Sequence, residues 1–508
     1  MKNRSSVLFI PEPTLTFRHG QAVEDPRDGL TLFGPLDAGK PYGIRAGVIG
    51  TAIGISYFKD WVQRIQKPLC DEGSHIARPP FPGFEAAFQI PWSPNPVLSI
   101  ELENKDIDRL IHLDDPYQRV HGTVSLFSQA IQSAVLKEEG VADLWFVVVP
   151  DVIHELCRPN ARVNVQDQVK AEWRYAPKAA RRFRWNPSLY EEENRATLAY
   201  QYEVDFHNQL KARLLGDRII TQIVQESTLA LFEEGPDSHF RKRDCRPFQA
   251  AIAWNIGTTT FYKAGGRPWK INGIRDGVCY IGLVFKRDAT GTDPRLACCA
   301  AQMFLDSGDG IVFRGAIGPW YSRDTREFHL SQQAARRLVE LAIETYKQNS
   351  NGRLPRELFL HGRASFADDE WQGFKSGIDP AQTNIVGVKI REDAPLRLYR
   401  QGKHPVLRGT AYIQHRRSAF LWTKGYAPRL RTYVGREVPR PLRIDLDRGS
   451  ADIEVILSDI MALTKLNYNA CILADGLPVT LRFANAIGEI LTAGPVEKES
   501  PLPFKHYI

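Results

Sequence analysis

The chain has 508 residues, which is enough for two or three domains with sizeable cores. Hydrophobic residues make up 43% and charged residues 25%, as in an ordinary soluble globular protein, and no apolar run is long enough to predict a membrane span. The net charge of +7 is compatible with a polyanionic partner but does not require one. Seven cysteines without zinc-site spacing, and no signal-peptide pattern, indicate a reduced, cytoplasmic protein.

The first half of the chain alternates between strand and helix patterns. Positions 1–40 are rich in turn residues and predict a lead-in segment. Residues 41–270 then predict an α/β domain, because buried strands alternate with helices. The predicted strands cover 42–50, 98–102 and 143–150, and the predicted helices cover about 55–66 and 117–136. The last strand is almost wholly apolar, which is typical of the middle of a parallel sheet.

The second half, residues 271–508, predicts another α/β domain. Its order of strand, strand, strand, helix, strand resembles an RNase H-like fold. The predicted strands cover 277–285, 303–305, 310–313 and 357–362, and the predicted helices cover 331–348, a region opening near Gly373, 451–463 and 478–490.

One helix near the middle of the chain carries the most informative residues. His207 and Lys211 are four positions apart, so they share one helix face. Gln222 follows on the next segment, and Lys263 lies further along the chain. His207 alone is more often a helix-surface residue than a ligand, and Lys211 alone is most often solvated. Four such donors around one point would suit a terminal phosphate, which bears about two negative charges near neutral pH.

This ordered set resembles the pocket in the MID domain of Argonaute proteins that holds the 5′-phosphate of a guide strand. The segments 25–35 and 255–266 add to the resemblance. The whole chain is similar to a short prokaryotic Argonaute: a Rossmann-like MID domain followed by an RNase H-like PIWI domain, without the N-terminal and PAZ domains. The resemblance implies that His207, Lys211, Gln222 and Lys263 bind the 5′-phosphate of a short guide RNA, and that the target is single-stranded DNA.

The resemblance also implies a metal ion at this pocket. Pockets of this kind often place a divalent ion between the phosphate and the terminal carboxylate. Here the ligands would be Gln222 and the carboxylate of Ile508, and Mg²⁺ suits such hard oxygens. Many family members carry tyrosine where this chain has His207, so we expect the charge at this position to depend on pH.

The resemblance places Val284, Gly362 and Asn485 at three positions of the acidic tetrad with which active PIWI domains hold two metal ions. None of the three supplies a carboxylate or an imidazole, so we expect a degenerate site and no cleavage by this chain. Similar short Argonautes act with a partner that carries an APAZ domain fused to a TIR or sirtuin-like NADase, or to a nuclease. The expected function is therefore guide binding in a prokaryotic immune complex, with the activity in the partner.

Two other readings of the sequence stay open. The chain could be a PIWI-type guided nuclease with a displaced tetrad, or a solitary nucleic-acid-binding protein without an effector. The basic clusters at 181–185 and 429–443 contain aromatic residues, so each predicts either a nucleic-acid contact or a solvated face. Asp306, Asp309 and Asp324 suggest a different hydrolase only weakly, because no base or second ligand accompanies them.

Overall fold

The computed structural model describes residues 6–71, 76–138, 142–230, 248–287, 297–304, 310–317, 320–321, 327–495 and 502–508. Asp306, Asp309 and Asp324 lie outside these ranges. Up to residue 263 the elements are β1 (Ser6–Phe9), β2 (Leu15–Thr16), β3 (Ala22–Val23), α1 (Pro26–Leu32), β4 (Ala46–Gly50), α2 (Ala52–Arg64), α3 (Phe84–Phe88), β5 (Leu98–Glu101), α4 (Asn104–Ile111), α5 (Pro116–Lys137), β6 (Leu144–Val149), α6 (Asp151–Leu156), α7 (Pro177–Arg182), α8 (Glu191–Leu198), α9 (Phe206–Leu215), β7 (Thr221–Gln225), α10 (Glu226–Leu229) and α11 (Gln249–Lys263).

The remaining elements complete the second half. They are β8 (Lys270–Ile271), β9 (Val278–Arg287), β10 (Ala297–Phe304), β11 (Gly310–Ile317), β12 (Trp320–Tyr321), β13 (Phe328–His329), α12 (Gln332–Asn349), β14 (Glu357–Gly362), α13 (Asp368–Ser376), β15 (Asn384–Arg391), β16 (Thr410–His415), β17 (Ser418–Leu421), β18 (Leu442–Arg448), α14 (Ile453–Leu463), α15 (Val479–Arg482), α16 (Ala484–Thr492) and β19 (Leu502–Pro503). In the described part of the chain, no helix is long and apolar enough to cross a membrane.

A parallel sheet forms the centre of the first half, in the order β5-β4-β6-β7. Strand β6 is buried along its whole length, because helices cover both faces of the sheet. Phe58 and Trp61 of α2 pack on one face with Phe146, and Phe127 of α5 packs on the other with Val147. This arrangement confirms the α/β prediction.

The second half contains a ten-stranded sheet. Strand β10 runs antiparallel to both β9 and β11, and β14 pairs in parallel with both β9 and β15. Helices α12 and α13 pack on one face of this sheet, whereas residues of α14, α15 and α16 pack on the other. The RNase H-like order is therefore confirmed.

Two helix predictions in this half were wrong in detail. Helix α13 begins at Asp368 and not near Gly373, because the carboxylate of Glu370 accepts from Ala367 N at 3.3 Å and closes the first turn. The helix expected over 478–490 is two helices, α15 and α16, that meet at Phe483.

The lead-in segment is built into both halves of the molecule. Strand β1 pairs antiparallel with β16 at the edge of the ten-stranded sheet, and β2 pairs with β8. Between these strands, the carboxylate of Glu12 accepts hydrogen bonds from Arg408 Nε and Lys465 Nζ, both at 2.7 Å. The beginning of the chain thus completes the sheet of the second half. The boundaries predicted at residues 40 and 270 stay predictions.

Candidate anion-binding site

Helix α9 presents the two predicted residues of the sequence motif. Asp205 caps the helix, since its side chain accepts from Asn208 N at 2.9 Å. Leu210 and other apolar residues of α9 are buried in the core of the first half. The remaining face directs His207 and Lys211 towards the last residues of the sequence. His207 is exposed, whereas Lys211 below it is only 3% exposed.

The ammonium group of Lys211 is held by main-chain oxygens. Its Nζ donates to the oxygen of Tyr507 at 3.2 Å and to that of Ile508 at 2.5 Å. Burial lowers the pKa of Lys211 to about 7, because desolvation penalises the charged form. The amine is therefore about half protonated near neutral pH, and we expect an incoming anion to restore its full charge.

Lys263, the last residue of α11, approaches from the other side. Its Nζ donates to the main-chain oxygen of Thr221 at 2.9 Å and to Oε1 of Gln222 at 2.8 Å. Burial first, and then the positive charge of Lys211, lower the pKa of Lys263 well below its ordinary value. Within the described ranges, no carboxylate side chain contacts either lysine ammonium. Two buried amines thus face each other without a side-chain counterion.

A further residue of this site was missed by the sequence analysis. His506 is 7% exposed, and its Nδ1 is buried without a hydrogen-bond partner among the described residues. Burial, then the charges of Lys505, Arg218, Lys211 and Lys263, lower the pKa of His506 to about 4. The basic and aromatic run at 504–507 was the available signal. An unpartnered polar atom beside two buried lysines points to a ligand that the protein itself does not supply.

We name this constellation the lysine pocket: His207, Lys211, Gln222, Lys263 and His506, with the main-chain oxygens of Tyr507 and Ile508. The structure brings together all four residues that were predicted to bind a phosphate. It also places Ile508, one of the two predicted metal ligands, in contact with Lys211.

The protonation state of His207 differs from the sequence expectation. Its ring is exposed at the mouth of the lysine pocket, but protein surrounds it on most sides. This partial loss of hydration, followed by the positive charge of Lys211, lowers the pKa of His207 to about 3. The expectation that its charge changes near neutral pH was wrong for the unliganded protein. The neutral imidazole carries one donor and one acceptor, and Nδ1 lies 3.2 Å from Oδ1 of Asn208.

Asn255, at the start of the second segment that carried the resemblance, has a different role. Its Oδ1 accepts from Cys471 N at 2.9 Å, which ties α11 to the second half of the chain. It does not contribute to the lysine pocket.

The lysine pocket contains oxygen atoms that fit a hard divalent ion. Oε1 of Gln222 and the main-chain oxygen of Ile508 are both ligand types that Mg²⁺ accepts. Each is now an acceptor for a lysine, and burial suppresses the charge of both lysines. A cation would enter together with a doubly charged phosphate, whose negative charge offsets both the ion and the lysines that it protonates.

The three predicted PIWI positions lie in different surroundings. Gly362 ends β14 and borders a hollow lined by Leu283, Phe285 and Phe366, on the α12–α13 face of the sheet. Asn485 is exposed on α16, which packs against the other face. Val284 is a residue of β9 whose side chain lies outside the described part of the structure. The structure thus places Gly362 and Asn485 on different faces of the ten-stranded sheet.

The acidic residue of this hollow, Glu370, is already engaged. It is 2% exposed, and its carboxylate accepts from Leu330 N at 3.0 Å and lies 3.4 Å from Nδ1 of His329. Among the residues that the structure describes, no group of three or more His, Cys, Asp or Glu side chains is arranged to hold a metal ion.

Comparison with known proteins identifies the fold. No protein-family model matches the sequence. No curated protein matches it either. Among solved structures, Clostridium butyricum Argonaute bound to a guide DNA and a 19-mer target DNA is similar over 97% of this chain, with 15% identity and a TM-score of 0.61.

Two further structures agree with this result. A. aeolicus Argonaute and Aa-Ago with externally bound siRNA each cover 100% of this chain at 12% identity, with TM-scores of 0.56 and 0.54. This chain spans about half the length of these proteins, namely 53% of the first and 56% of the other two. The chain therefore has an Argonaute-like fold with MID–PIWI architecture.

Proposed function

We propose that this chain is the guide-binding subunit of a prokaryotic immune complex. It anchors the 5′-phosphate of a short guide in the lysine pocket and recognises a complementary strand by base pairing. The observation that carries the proposal is the convergence of two buried lysines on the unpartnered Nδ1 of His506, with no carboxylate side chain of the described residues in contact with either ammonium. The Clostridium butyricum structure of the same fold holds a guide DNA and a target DNA.

In this proposal each residue of the lysine pocket has a distinct role. Lys211 and Lys263 supply positive charge to the phosphate, and His506 offers a hydrogen bond to it. His207 stacks on the first base at the pocket mouth. Gln222 Oε1 and the main-chain oxygen of Ile508 would hold Mg²⁺, which supplies further positive charge to the phosphate when bound. The guide is a short RNA and the target is single-stranded DNA, in line with the family resemblance.

We further propose that this chain is not itself an enzyme. The hollow beside Gly362 is largely apolar, and its carboxylate, that of Glu370, already contacts Leu330 N, His329 and Ala367 N at the start of α13. The activity would reside in an APAZ-domain partner that carries a TIR or sirtuin-like NADase, or a nuclease. Pairing of guide and target would activate that effector in the cytoplasm, with NAD depletion or nucleic-acid degradation as the output.

Protein loaded with a 5′-phosphorylated guide RNA is expected to retain a complementary DNA strand without cutting it, in Mg²⁺ or in Mn²⁺. Gel electrophoresis of an end-labelled target measures cleavage, and filter retention of the same sample measures binding. A scrambled target is the control and should not be retained. Cleavage at a fixed position that depends on the guide would contradict the proposal and favour the nuclease with a displaced tetrad.

The affinity for a phosphorylated guide is expected to fall as the pH rises above 7. The pKa of Lys211 is about 7 in the free protein, and a bound phosphate dianion raises it. Binding therefore takes up a proton above pH 7, and the affinity falls by up to about tenfold per pH unit for this lysine. Titrations at about pH 7.0 and about pH 8.5 measure this dependence. The same guide with a 5′-hydroxyl is the control, and an equal pH dependence for both guides would contradict the assignment.

A further inference from the structure

A basic segment of the first half leaves the core beside the lysine pocket and returns to it. Residues 158–205 connect α6 to α9, and we name them the basic excursion. Its two ends meet, because Phe206 N donates to the main-chain oxygen of Cys157 at 2.9 Å. His207 is the next residue after this junction. The excursion therefore starts and ends at the helix that carries the lysine pocket.

Positive charge is concentrated in the first part of this segment, since residues 191–205 carry one Arg and five Asp or Glu residues. Residues 158–190 contain eight Lys or Arg residues and two Asp or Glu residues, a net charge of +6, compared with +7 for the whole chain. Seven of the eight basic residues are exposed: Arg158, Arg162, Lys170, Arg174, Lys178, Arg182 and Arg184. Among these seven, only Arg174 lies within ion-pair distance of a described carboxylate, that of Asp114 at 3.5 Å. The surface is thus complementary to a polyanion.

Large aromatic side chains stand among these charges. Trp185 is 77% exposed, Tyr190 is 72% exposed and Trp173 is 40% exposed. The guanidinium of Arg184 lies over the ring of Trp185, 5.2 Å from its centroid. Exposed aromatic rings next to arginines are the combination on which unpaired bases stack while their phosphates are neutralised.

The excursion holds these aromatic residues in a fixed framework. Ser188 N donates to Oδ1 of Asn194, and Nδ2 of Asn194 donates to the oxygen of Ser188, both at 2.8 Å. At the base, Tyr200 Oη donates to Asp115 at 2.8 Å, and Arg181 Nε donates to the oxygen of Tyr200 at 3.0 Å. A surface that is ordered before binding loses less conformational entropy when it captures a ligand.

We propose that the basic excursion binds the unpaired target strand where it continues beyond the 5′ end of the guide. The inference rests on the proposed function. In an antiparallel duplex, the part of the target that extends past the 5′ end of the guide is the 3′ side of the target. The excursion adjoins the pocket that would hold the 5′ end of the guide. Arg182 and Arg184 neutralise phosphates of this flank, and Trp185 stacks on one of its bases.

The test compares two targets on guide-loaded protein: one that ends opposite the guide 5′ end, and one with about ten further unpaired 3′ nucleotides, a length within one single-strand binding site. Wild type should bind the flanked target about tenfold more tightly. The triple variant R182A/R184A/W185A should lose this advantage while it retains the unflanked target. Loss of two phosphate contacts should also reduce the slope of log affinity against log salt by about 1.4.

A matched variant controls for the loss of charge and of an aromatic ring elsewhere. The variant R336A/R337A/Y399A removes two exposed arginines and one exposed tyrosine away from the excursion, and should keep the flank advantage. Thermal unfolding of all variants checks that each is folded.

The possible results separate this inference from the proposed function. Failure of wild type to retain the unflanked target contradicts the proposed function. Two results overturn only the inference about the basic excursion. In the first, wild type retains the unflanked target but binds the flanked target no more tightly. In the second, R182A/R184A/W185A keeps the full affinity advantage of the flanked target. A triple variant that keeps the flank advantage but loses self-association in sedimentation would reassign the surface to contact between copies of the chain.

Discussion

Replacing Lys211 and Lys263 together with methionine is expected to abolish the preference for a 5′-phosphorylated guide. Each hydrogen bond from a charged donor contributes about 1.5–3 kcal/mol. Loss of both should therefore weaken binding of the phosphorylated guide by roughly two to four orders of magnitude, at about 1.4 kcal/mol for each factor of ten. Affinity for the hydroxyl-ended guide should change little. Fluorescence titration with both guides measures the two affinities.

The free energy of unfolding of the same double variant is expected to be similar to that of wild type or higher. Burial lowers the pKa of both lysines, so the unfolded chain binds more protons than the folded one near neutral pH. Burial of these lysines therefore opposes folding at pH 7, and methionine removes this cost while it keeps the apolar stem. The control variant K59M/K67M changes two exposed lysines. A double pocket variant that is folded and still prefers the phosphorylated guide would contradict the assignment.

Replacing Glu12 with alanine is expected to lower the free energy of unfolding by about 3–5 kcal/mol, the usual cost of leaving buried charges unpaired. The side chains of Arg408 and Lys465 are 5% and 0% exposed, and Glu12 accepts from both at 2.7 Å. Its loss would leave two cations buried between the lead-in segment and the second half. Urea unfolding measures the change.

The pH dependence of this contribution has a definite sign. Burial acts to raise the pKa of Glu12, but the charges and hydrogen bonds of Arg408 and Lys465 outweigh it, so the pKa lies below its ordinary value. The stabilisation is therefore complete above the unfolded pKa and is lost as the pH falls through the lower, folded pKa. The control is E103A, since Glu103 pairs with Lys105 on the surface. Equal stability losses for E12A and E103A at neutral pH would contradict a buried ion-pair role.

The elements that could be predicted from sequence are those whose pattern is local. Strand β6 and helix α5 begin and end within a residue or so of their predicted bounds, because a wholly apolar run and the turn-forming Asp115-Pro116 are read directly from neighbouring residues. The close packing that brings β1 beside β16 was not predicted. Its two partners lie some 400 residues apart, as in the pair Ser6 and Ile413, and neither strand carries a signal for the other.

The lysine pocket also combines residues that the sequence predicted with one that it did not. Four of its residues were predicted from their order along the chain and from the family resemblance. His506 was missed, because its role depends on how the last residues fold back against α9 and α11. The neutral state of His207 was also not predictable, since the pKa of an imidazole depends on burial and on neighbouring charges that exist only in the folded protein.

The most direct test of the central claim is the affinity of wild type for one short RNA in two forms, with a 5′-phosphate and with a 5′-hydroxyl. The measurement is an equilibrium titration near pH 7 at fixed salt, because binding of nucleic acid depends strongly on ionic strength. The lysine pocket predicts that the phosphorylated RNA binds at least about tenfold more tightly, the gain expected from one charge-assisted hydrogen bond. Equal affinity for the two forms would show that the lysine pocket does not hold the 5′ end of a guide.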